Sequence, residues 1–247
     1  RLQALEKRRA TADLDEAAKK IAWGKFYNCG QICIAPDYVL VDERVRAPFL
    51  ERLKSAIDAL GNESRGIMVN ERHAARVKRL FDDAVERGAE ILTGGTFRGR
   101  EIAPTVLGDV PPDAPLMQEE IFGPILPVLS YRSLDEAFDV IAAREKPLVL
   151  YAFSRDRRVV KQILRRTTAG GTAVNQTLVH FYQLNLPFGG VGHSGIGRSH
   201  GFYGFEAFSN VRGVLDQRLK FSPIELLYPP YRGKLKEKLI DFTVKWL

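Results

Sequence analysis

Two cysteines four positions apart, Cys29 and Cys33, are the side chains of this sequence best suited to covalent chemistry. They lie in a turn that contains Gly30 and Pro36, between a predicted helix and a predicted strand. A thiol in such a turn can be partly exposed and assisted toward the thiolate, so Cys33 is a candidate nucleophile. Free cysteines are more often buried, where they pack as small apolar residues, and that alternative stays open for Cys33.

A metal site at this turn is not predicted. No second cysteine pair exists, and none of the four histidines lies at a ligand-like spacing from the cysteines. Two cysteines in one short segment cannot join distant parts of the chain, so their use fits a reducing compartment. We therefore predict thiol chemistry without a metal, in a cytoplasmic protein.

Residues 119–124 place two carboxylates, Glu119 and Glu120, before an aromatic residue, Phe122, and a Gly-Pro turn. Paired acids can serve general acid–base catalysis or bind sugar hydroxyls, although plain surface exposure is their usual fate. A candidate base farther along the chain is His180, which neighbours two aromatic residues. A lone histidine among aromatics is more often a packing residue, so this role stays one of two interpretations.

Residues 190–195 spell G-x-G-x-x-G, the pattern of a dinucleotide-binding loop. That interpretation requires a strand before the pattern and a helix after it. Here residues 185–189 precede it, and no amphipathic helix opens behind it. We interpret the segment as a flexible loop lining a ligand cavity.

The composition is close to the average for globular proteins, with 45% hydrophobic and 27% charged residues among 247. A chain of this length can bury a core without disulfides or metals. The formal net charge of +7 is spread along predicted helix faces, so nucleic-acid binding is not predicted. The sequence shows no transmembrane run and no secretory signal.

Strand and helix patterns alternate along most of the chain. Helical spacing of apolar residues, or a capping signal, predicts helices at 13–26, 44–60, 71–87, 134–143 and 157–166. Short apolar runs predict strands at 38–41, 125–131, 148–153 and 171–174. This alternation predicts an α/β fold with a mostly parallel sheet. A Gly-rich stretch without periodicity follows, from Asn175 to about His200, as is typical of functional loops.

The thiol turn, the acidic segment and the Gly-rich segment, in this order, resemble the aldehyde dehydrogenase superfamily and its fatty-aldehyde (class 3) branch. Residues 30–33 are similar to the active-site thiol motif, and 35–38 to its continuation. Residues 119–124 resemble the second signature, and 185–195 the loop near the aldehyde entrance.

The resemblance runs from about Asp13 to Asn210 and implies three parts. These are a divergent N-terminal segment at 1–12, a catalytic domain at 13–210 without the cofactor-binding domain, and a C-terminal extension at 211–247. It implies a homodimer in which the extension contacts another subunit. The basic amphipathic end of the extension, residues 235–247, is expected either to dock on the domain or dimer, or to contact a membrane surface peripherally.

The resemblance also implies a chemistry, the NAD- or NADP-dependent oxidation of a medium-chain, long-chain or aromatic aldehyde to a carboxylic acid. Cys33 would form a thiohemiacetal and then a thioester. Glu120 would bind the nicotinamide ribose, and Phe122 would wall the nicotinamide ring. His180 and Phe188 would line the substrate passage.

The sequence departs from the family near its start. The general-base glutamate would fall just before Arg1, residues 1–10 do not resemble its motif, and the oxyanion-binding asparagine belongs to the N-terminal domain. Glu120 or Glu119 could act as base instead. Two alternatives therefore remain, a truncated, non-catalytic homologue that serves as an oligomerisation partner, and a thiol-dependent hydrolase or acyltransferase that works without nicotinamide.

Overall fold

The computed structural model describes residues 12–61 and 66–246. The chain divides into one unit that ends at Phe208 and a second that begins at Ser209. Among the described residues, the first unit contains six α-helices: α1 (Leu14–Phe26), α2 (Arg46–Ala59), α3 (Glu71–Glu86), α4 (Leu134–Ala142), α5 (Arg157–Arg166) and α6 (Gly201–Ala207). Its strands are β1 (Val39–Asp42), β2 (Glu90–Thr93), β3 (Phe97–Arg98), β4 (Glu101–Ile102), β5 (Thr105–Gly108), β6 (Ile125–Tyr131), β7 (Val149–Ala152) and β8 (Gly171–Val174).

The strands form three sheets, and most pairings are parallel. A four-stranded sheet has the order β1-β6-β5-β2, in which only β2 runs antiparallel to its neighbour. β7 and β8 form a parallel pair, and β3 and β4 a short antiparallel one. The predicted α/β fold with a mostly parallel sheet is confirmed.

Four of the five predicted helices begin at a side-chain cap. Asp13 accepts a hydrogen bond from the backbone N–H of Glu16 at 3.2 Å, as the capping pattern indicates. Caps of the same kind begin three other helices, at Asn70, Ser133 and Asp156. Each satisfies an N–H group that a helix start leaves without an intrahelical partner.

Successive residues of the central strands point into two different apolar cores. Val106 and Leu126 pack with α1 and α2 in one buried cluster. Leu107 and Ile125, their neighbours along the strands, pack with α3 in the other. This alternation is the two-residue period of a strand, and it fixes the sheet between helical layers.

The short strands β2 and β5, the β3–β4 pair and the helix α6 were not predicted. The fully buried β5 spans only four residues and follows a proline, so its apolar run was too short to stand out. The second unit contains the helix α7 (Lys234–Trp246), which begins one residue before the predicted amphipathic segment 235–247. No helix in the described ranges is long and apolar enough to cross a membrane. All but the last residue of the predicted divergent segment 1–12 lies outside the described residues.

Candidate active site

The thiol turn is produced by three consecutive residues in the left-handed region. After α1 ends, Asn28, Cys29 and Gly30 have φ values of 50°, 58° and 72°. This backbone reverses the chain sharply and sends the two thiols to different environments. Cys29 is buried, whereas Cys33 is exposed.

The difference in environment separates the chemistry of the two cysteines. Burial raises the pKa of the Cys29 thiol to about 11, and its Sγ contacts the Sδ of Met68 at 3.8 Å. Cys29 is therefore a packing residue. The backbone N–H of Cys33 has no hydrogen-bond acceptor among the described residues. Its thiol and its N–H are thus both available to a ligand.

The turn lies directly against the acidic segment 119–124. A Cβ added at Gly30 would lie 2.3 Å from the carbonyl oxygen of Gly123, so the two backbones meet where no side chain fits. Two motifs separated by more than 80 residues in sequence are thereby joined in one place.

The acidic segment is held by side chains of α3 and of the loop before β1. Arg76 donates to the carbonyl oxygens of Glu120 (3.1 Å) and Ile121, and pairs with the Glu119 carboxylate at 3.0 Å. The ring Nε2 of His73 lies 2.9 Å from the carbonyl oxygen of Phe122. Phe122 itself has a φ of 48°, so these contacts hold a strained residue in place.

Asp37 links this segment to a buried cation. Its carboxylate accepts a hydrogen bond from the N–H of Ile121 at 3.1 Å, and lies 3.9 Å from the amine of the fully buried Lys25. Burial lowers the pKa of Lys25, and Asp37 and Glu120 oppose that shift. Burial raises the pKa of Asp37, which Lys25 partly offsets. The three groups form one coupled electrostatic cluster.

Glu120 itself is exposed at the surface. The part of its carboxylate that is buried against the protein loses hydration, which raises the pKa of Glu120. The Asp37 carboxylate raises this pKa further, whereas Lys25 and Arg76 lower it. Its carboxylate has no hydrogen-bond donor among the described residues. Beside it, the Phe122 side chain is partly exposed. Glu120 and Phe122 thus present a free carboxylate beside an aromatic surface.

Tyr151 of β7 connects the thiol turn to the loop that follows β8. Its hydroxyl donates to the carbonyl oxygen of Ile34 at 2.7 Å and accepts from the N–H of Leu178 at 3.1 Å. Its ring also meets the ring of His180 edge-on, with centroids 5.9 Å apart. His180 is thus brought to the neighbourhood of Cys33 through one tyrosine.

His180 and Phe188 belong to a single aromatic cluster. Their centroids are 6.1 Å apart, and Phe188 also stacks on His200 at 5.3 Å and meets Phe181 edge-on at 5.0 Å. Neither ring nitrogen of His180 has a hydrogen-bond partner in the part of the chain described. Burial, and then the charge of His200, lower the pKa of His180, so the ring is neutral at pH 7. The cluster thus presents aromatic rings, with His180 uncharged at neutral pH.

The G-x-G-x-x-G segment is closed on itself rather than open to a phosphate. The Ser194 hydroxyl accepts from the N–H of Val191 at 2.8 Å and donates to its carbonyl oxygen at 3.0 Å. A Cβ at Gly190 would lie 1.9 Å from the carbonyl oxygen of Ser194. The glycines serve a tight local turn, and no helix of dinucleotide-binding type follows.

Sequence reasoning missed Lys25, Asp37, Arg76 and Tyr151. One signal was present, because Lys25 lies four residues after Ile21, on the apolar side of α1, where a charge is unexpected. Asp37 lies in segment 35–38, which resembles the continuation of the thiol motif, but that resemblance gave it no role, and Arg76 and Tyr151 carried no distinguishing pattern. Among the described residues, no group of three or more histidine, cysteine or acidic side chains could hold a metal ion.

Fold and site together define an α/β protein with an exposed thiol in a strained turn, packed against an acidic segment and close to an aromatic loop. The sequence profile of the aldehyde dehydrogenase family matches residues 9–214. The chain belongs to the aldehyde dehydrogenase family, as its three motifs predicted.

Its relatives include the dimeric NADP-preferring aldehyde dehydrogenase of Rattus norvegicus, 44% identical over 90% of this chain and 50% of the relative. Aldehyde dehydrogenase family 3 member A2 of Mus musculus is 43% identical over 88% of this chain and 46% of the relative. Among solved structures, the substrate-bound state of Staphylococcus aureus AldH superposes with a TM-score of 0.82 at 40% identity, covering 94% of this chain and 52% of that one. The chain thus spans about half the length of these relatives.

Proposed function

We propose that this chain is the thiol-bearing part of an NAD- or NADP-dependent aldehyde dehydrogenase, with residues 13–210 as its catalytic domain and Cys33 as its nucleophile. The observation that carries the proposal is the packing of the exposed Cys33 turn against the segment of Glu120 and Phe122 through Gly30 and Gly123. The name of the rat relative supports a nicotinamide dinucleotide as the cofactor.

In the proposed reaction, the Cys33 thiolate adds to the aldehyde carbon, and the carbonyl π electrons move to oxygen. The free N–H of Cys33 donates a hydrogen bond to that oxyanion. The nicotinamide, which Glu120 and Phe122 would hold, would accept the hydride that leaves the carbon, and a thioester on Cys33 would remain. Water then adds to the thioester, a base takes its proton, and the C–S bond breaks to release the acid and the thiolate.

Within this scheme Glu120 accepts hydrogen bonds from the cofactor ribose, and Phe122 covers one face of the nicotinamide ring. Arg76 and Asp37 fix the backbone that carries both. The aromatic cluster of His180 and Phe188 lines the approach of a hydrophobic aldehyde, which favours medium-chain, long-chain or aromatic substrates over small polar ones. The chain is proposed to act as a homodimer, in keeping with the word "dimeric" in the rat relative's name.

The deacylation step needs a base that takes a proton from the attacking water. Tyr151 is unsuited, because burial raises its pKa and its hydroxyl already serves Ile34 and Leu178. Glu120 has a free carboxylate and a raised pKa, but it is also assigned to the ribose. We therefore assign neither residue as the base of this step.

The test supplies the chain with the part of the rat relative to which it does not align, then adds a medium-chain aldehyde with NAD or NADP. Absorbance at the reduced-nicotinamide band should rise with the wild-type chain and stay flat with Cys33→Ala. Cys29→Ala is the matched control, because it removes the buried thiol and should retain activity. Equal rates for the wild type and Cys33→Ala would refute the proposal, and so would an absent signal from a complex shown to form.

A non-catalytic oligomerisation partner is the second candidate. It is favoured by the spread of exposed apolar side chains in the extension, which we propose spans residues 211–247 and contacts another subunit. The residues are Val211, Val214, Leu215, Leu219, Leu235, Phe242 and Val244. Light scattering that finds only a monomer would exclude this role. The same apolar and basic character makes a peripheral membrane contact of α7 a further hypothesis, and unchanged liposome co-sedimentation after deletion of 234–247 would dismiss it.

A further inference from the structure

The side chain of Gln31, two residues before Cys33, joins the thiol turn to a separate segment of the chain. Its Oε1 accepts a hydrogen bond from the backbone N–H of Val69 at 2.8 Å. Its Nε2 donates to the carbonyl oxygens of Ile67 and Asn28, each at 3.2 Å. Both ends of the amide are used, and because only the oxygen can accept from an N–H group, its orientation is fixed as well as its place.

The amide of Gln31 matches one edge of segment 67–69. In an extended segment, the carbonyl group of one residue and the N–H group two residues later face the same side. Met68, between them, bonds on the other side to Arg100. Its N–H donates to the carbonyl oxygen of Arg100 at 2.9 Å, and its carbonyl oxygen accepts from Nε of Arg100 at 2.7 Å. The segment is thus held from both edges, and Gln31 holds one of them.

Asn28 and Gln31 also close the thiol turn on itself. The backbone N–H of Gln31 donates to the carbonyl oxygen of Asn28 at 3.1 Å, and Nδ2 of Asn28 donates to the carbonyl oxygen of Gln31 at 3.1 Å. With the Nε2 bond, three hydrogen bonds join the two residues across the left-handed backbone of Asn28, Cys29 and Gly30. A left-handed conformation is unfavourable for a residue other than glycine, so it persists only where the surroundings enforce it. These bonds enforce it.

The segment that Gln31 holds is also the cover of Cys29. The Sδ of Met68 lies 3.8 Å from the Sγ of Cys29, and a Cβ added at Gly66 would lie 3.1 Å from the Cβ of Cys29. Beneath this cover Cys29 is 3% exposed, whereas Cys33 is exposed to solvent. The placement of residues 66–69 on the turn therefore decides which of the two thiols meets solvent.

We propose that Gln31 is the positioning residue of Cys33. Its side-chain amide clamps the thiol turn to segment 67–69, and the clamp keeps Cys33 outward and Cys29 inward. Gln31 acts through backbone groups and takes no part in bond making itself. That the clamped thiol is a nucleophile rests on the proposed function, whereas the clamp is a property of this chain alone.

The first experiment removes the clamp from the full chain. Gln31→Met keeps the length of the side chain and loses its hydrogen bonds. Gln118→Met is the matched control, because Nε2 of Gln118 donates to the carbonyl oxygen of Pro112 at 2.7 Å, away from the thiol turn. Circular dichroism checks that each variant is folded, and peptide mass spectrometry follows alkylation of both thiols by iodoacetamide.

We expect the ratio of the Cys33 rate to the Cys29 rate to fall at least about tenfold in Gln31→Met. The loss of one hydrogen bond already shifts a local opening equilibrium about fivefold, and the clamp contains several. Opening uncovers Cys29 and lets the left-handed backbone relax, so selectivity between the thiols is lost. Gln118→Met should keep the wild-type ratio.

A second variant, Gln31→Glu, gives a signature that side-chain packing alone would not produce. Its carboxyl group can still accept from the N–H of Val69, and when protonated it can donate to the carbonyl oxygen of Ile67 or Asn28. When ionised it faces those two oxygens with a negative charge and no donor. The rate ratio, divided by that of the wild type at the same pH, should therefore be near one in acid and fall as the pH rises.

The third measurement adds the part of the rat relative to which the chain does not align, with a medium-chain aldehyde and NAD or NADP. Gln31→Met should lower kcat at least about tenfold and leave KM for the cofactor within about twofold, because the reacting sulfur is displaced while Glu120 and Phe122 are not.

Four outcomes would overturn the proposal. These are an unchanged thiol ratio in Gln31→Met, an equal fall in Gln118→Met, a ratio in Gln31→Glu that does not depend on pH, and a wild-type kcat in Gln31→Met. If Gln31→Met does not fold, the pH profile of Gln31→Glu decides. A wild-type complex that forms no reduced nicotinamide, beside the expected thiol ratios, leaves the clamp standing and counts against the proposed function alone.

Discussion

The α-carbon of Gly30 packs against the carbonyl oxygen of Gly123 so closely that a Cβ at position 30 would lie 2.3 Å from it. Both partners of this contact are backbone, so neither can move aside by changing a rotamer. Gly30 also has a φ of 72°, where a side chain is strained even in open space. The contact is what brings the thiol turn and the acidic segment together.

Gly30→Ala should therefore destabilise the chain by more than the cost of left-handed backbone alone. Gly99→Ala is the control, because Gly99 has a φ of 59° and a Cβ added there would meet no atom within 4 Å. The control should lose about 1–2 kcal/mol, the cost of an L-residue in this region. Gly30→Ala should lose clearly more free energy of unfolding, measured by urea denaturation. Equal losses in the two variants would show that the backbone at Gly123 shifts to accept the added Cβ at little cost.

The two thiols should differ strongly in reactivity. Cys29 is 3% exposed and its pKa is raised to about 11, so very little of it is thiolate at pH 8. Cys33 is exposed. Iodoacetamide should alkylate Cys33 at least about tenfold faster than Cys29, because the thiolate is the reacting form.

Peptide mass spectrometry resolves the two rates, and Cys33→Ser should remove the fast phase. Labelling that is slow and equal at both positions would place Cys33 in a protected environment and weaken its assignment as nucleophile. Repeating the labelling with NAD tests the cofactor, since an assembled site should alter the rate at Cys33 only.

Sequence patterns predicted the long elements well because their apolar periodicity is strong. Strand β6 and helix α5 have the predicted bounds, and the start of α1 follows from Asp13 as a cap. The four-residue β5 escaped notice because a buried run of that length resembles any apolar tetrapeptide.

Only the site residues that belong to sequence motifs could be predicted. Cys33, Glu120 and Phe122 were found through their motifs, whereas the roles of Asp37 and Arg76 depend on which loops the fold brings together. Long-range pairing of this kind leaves no local pattern. The separation of the β7–β8 pair from the four-stranded sheet could not be predicted either, because the sequence pattern of a strand does not show which strands pair with its edges.

The Lys25–Asp37 pair offers a test of the charge cluster. Asp37→Asn keeps an oxygen that can accept from the N–H of Ile121 but removes the charge that opposes the desolvation of Lys25. Breaking a buried pair costs about 3–5 kcal/mol, and because the Asp37 side chain is 39% exposed we expect a loss nearer 1–3 kcal/mol.

The pH dependence of the free energy of unfolding tests the same pair. The folded pKa of Lys25 lies below its unfolded value, so between the two the unfolded state binds more protons and the free energy of unfolding rises with pH. Asp37→Asn should lower the folded pKa of Lys25 further and so extend this rise to lower pH, and adding Lys25→Met should abolish it. A flat profile in Asp37→Asn would mean that Lys25 does not sense the carboxylate.

His180 should make the chain lose stability in mild acid. Burial and His200 lower its folded pKa below 6.5, so the unfolded state binds the proton first as the pH falls. The free energy of unfolding should therefore decrease from above pH 6.5 down through the folded pKa. His180→Phe retains an aromatic ring beside Tyr151 and Phe188, and should show a shallower decrease.

Urea unfolding between pH 8 and pH 5 measures the decrease, and an NMR titration of the imidazole C–H signals reads the pKa of His180 directly. A pKa at or above 6.5 would contradict the prediction, and so would parallel profiles of the wild type and His180→Phe. If the prediction holds, the proposed substrate passage is lined by a neutral ring, and an uncharged apolar lining suits a hydrophobic aldehyde better than an imidazolium would.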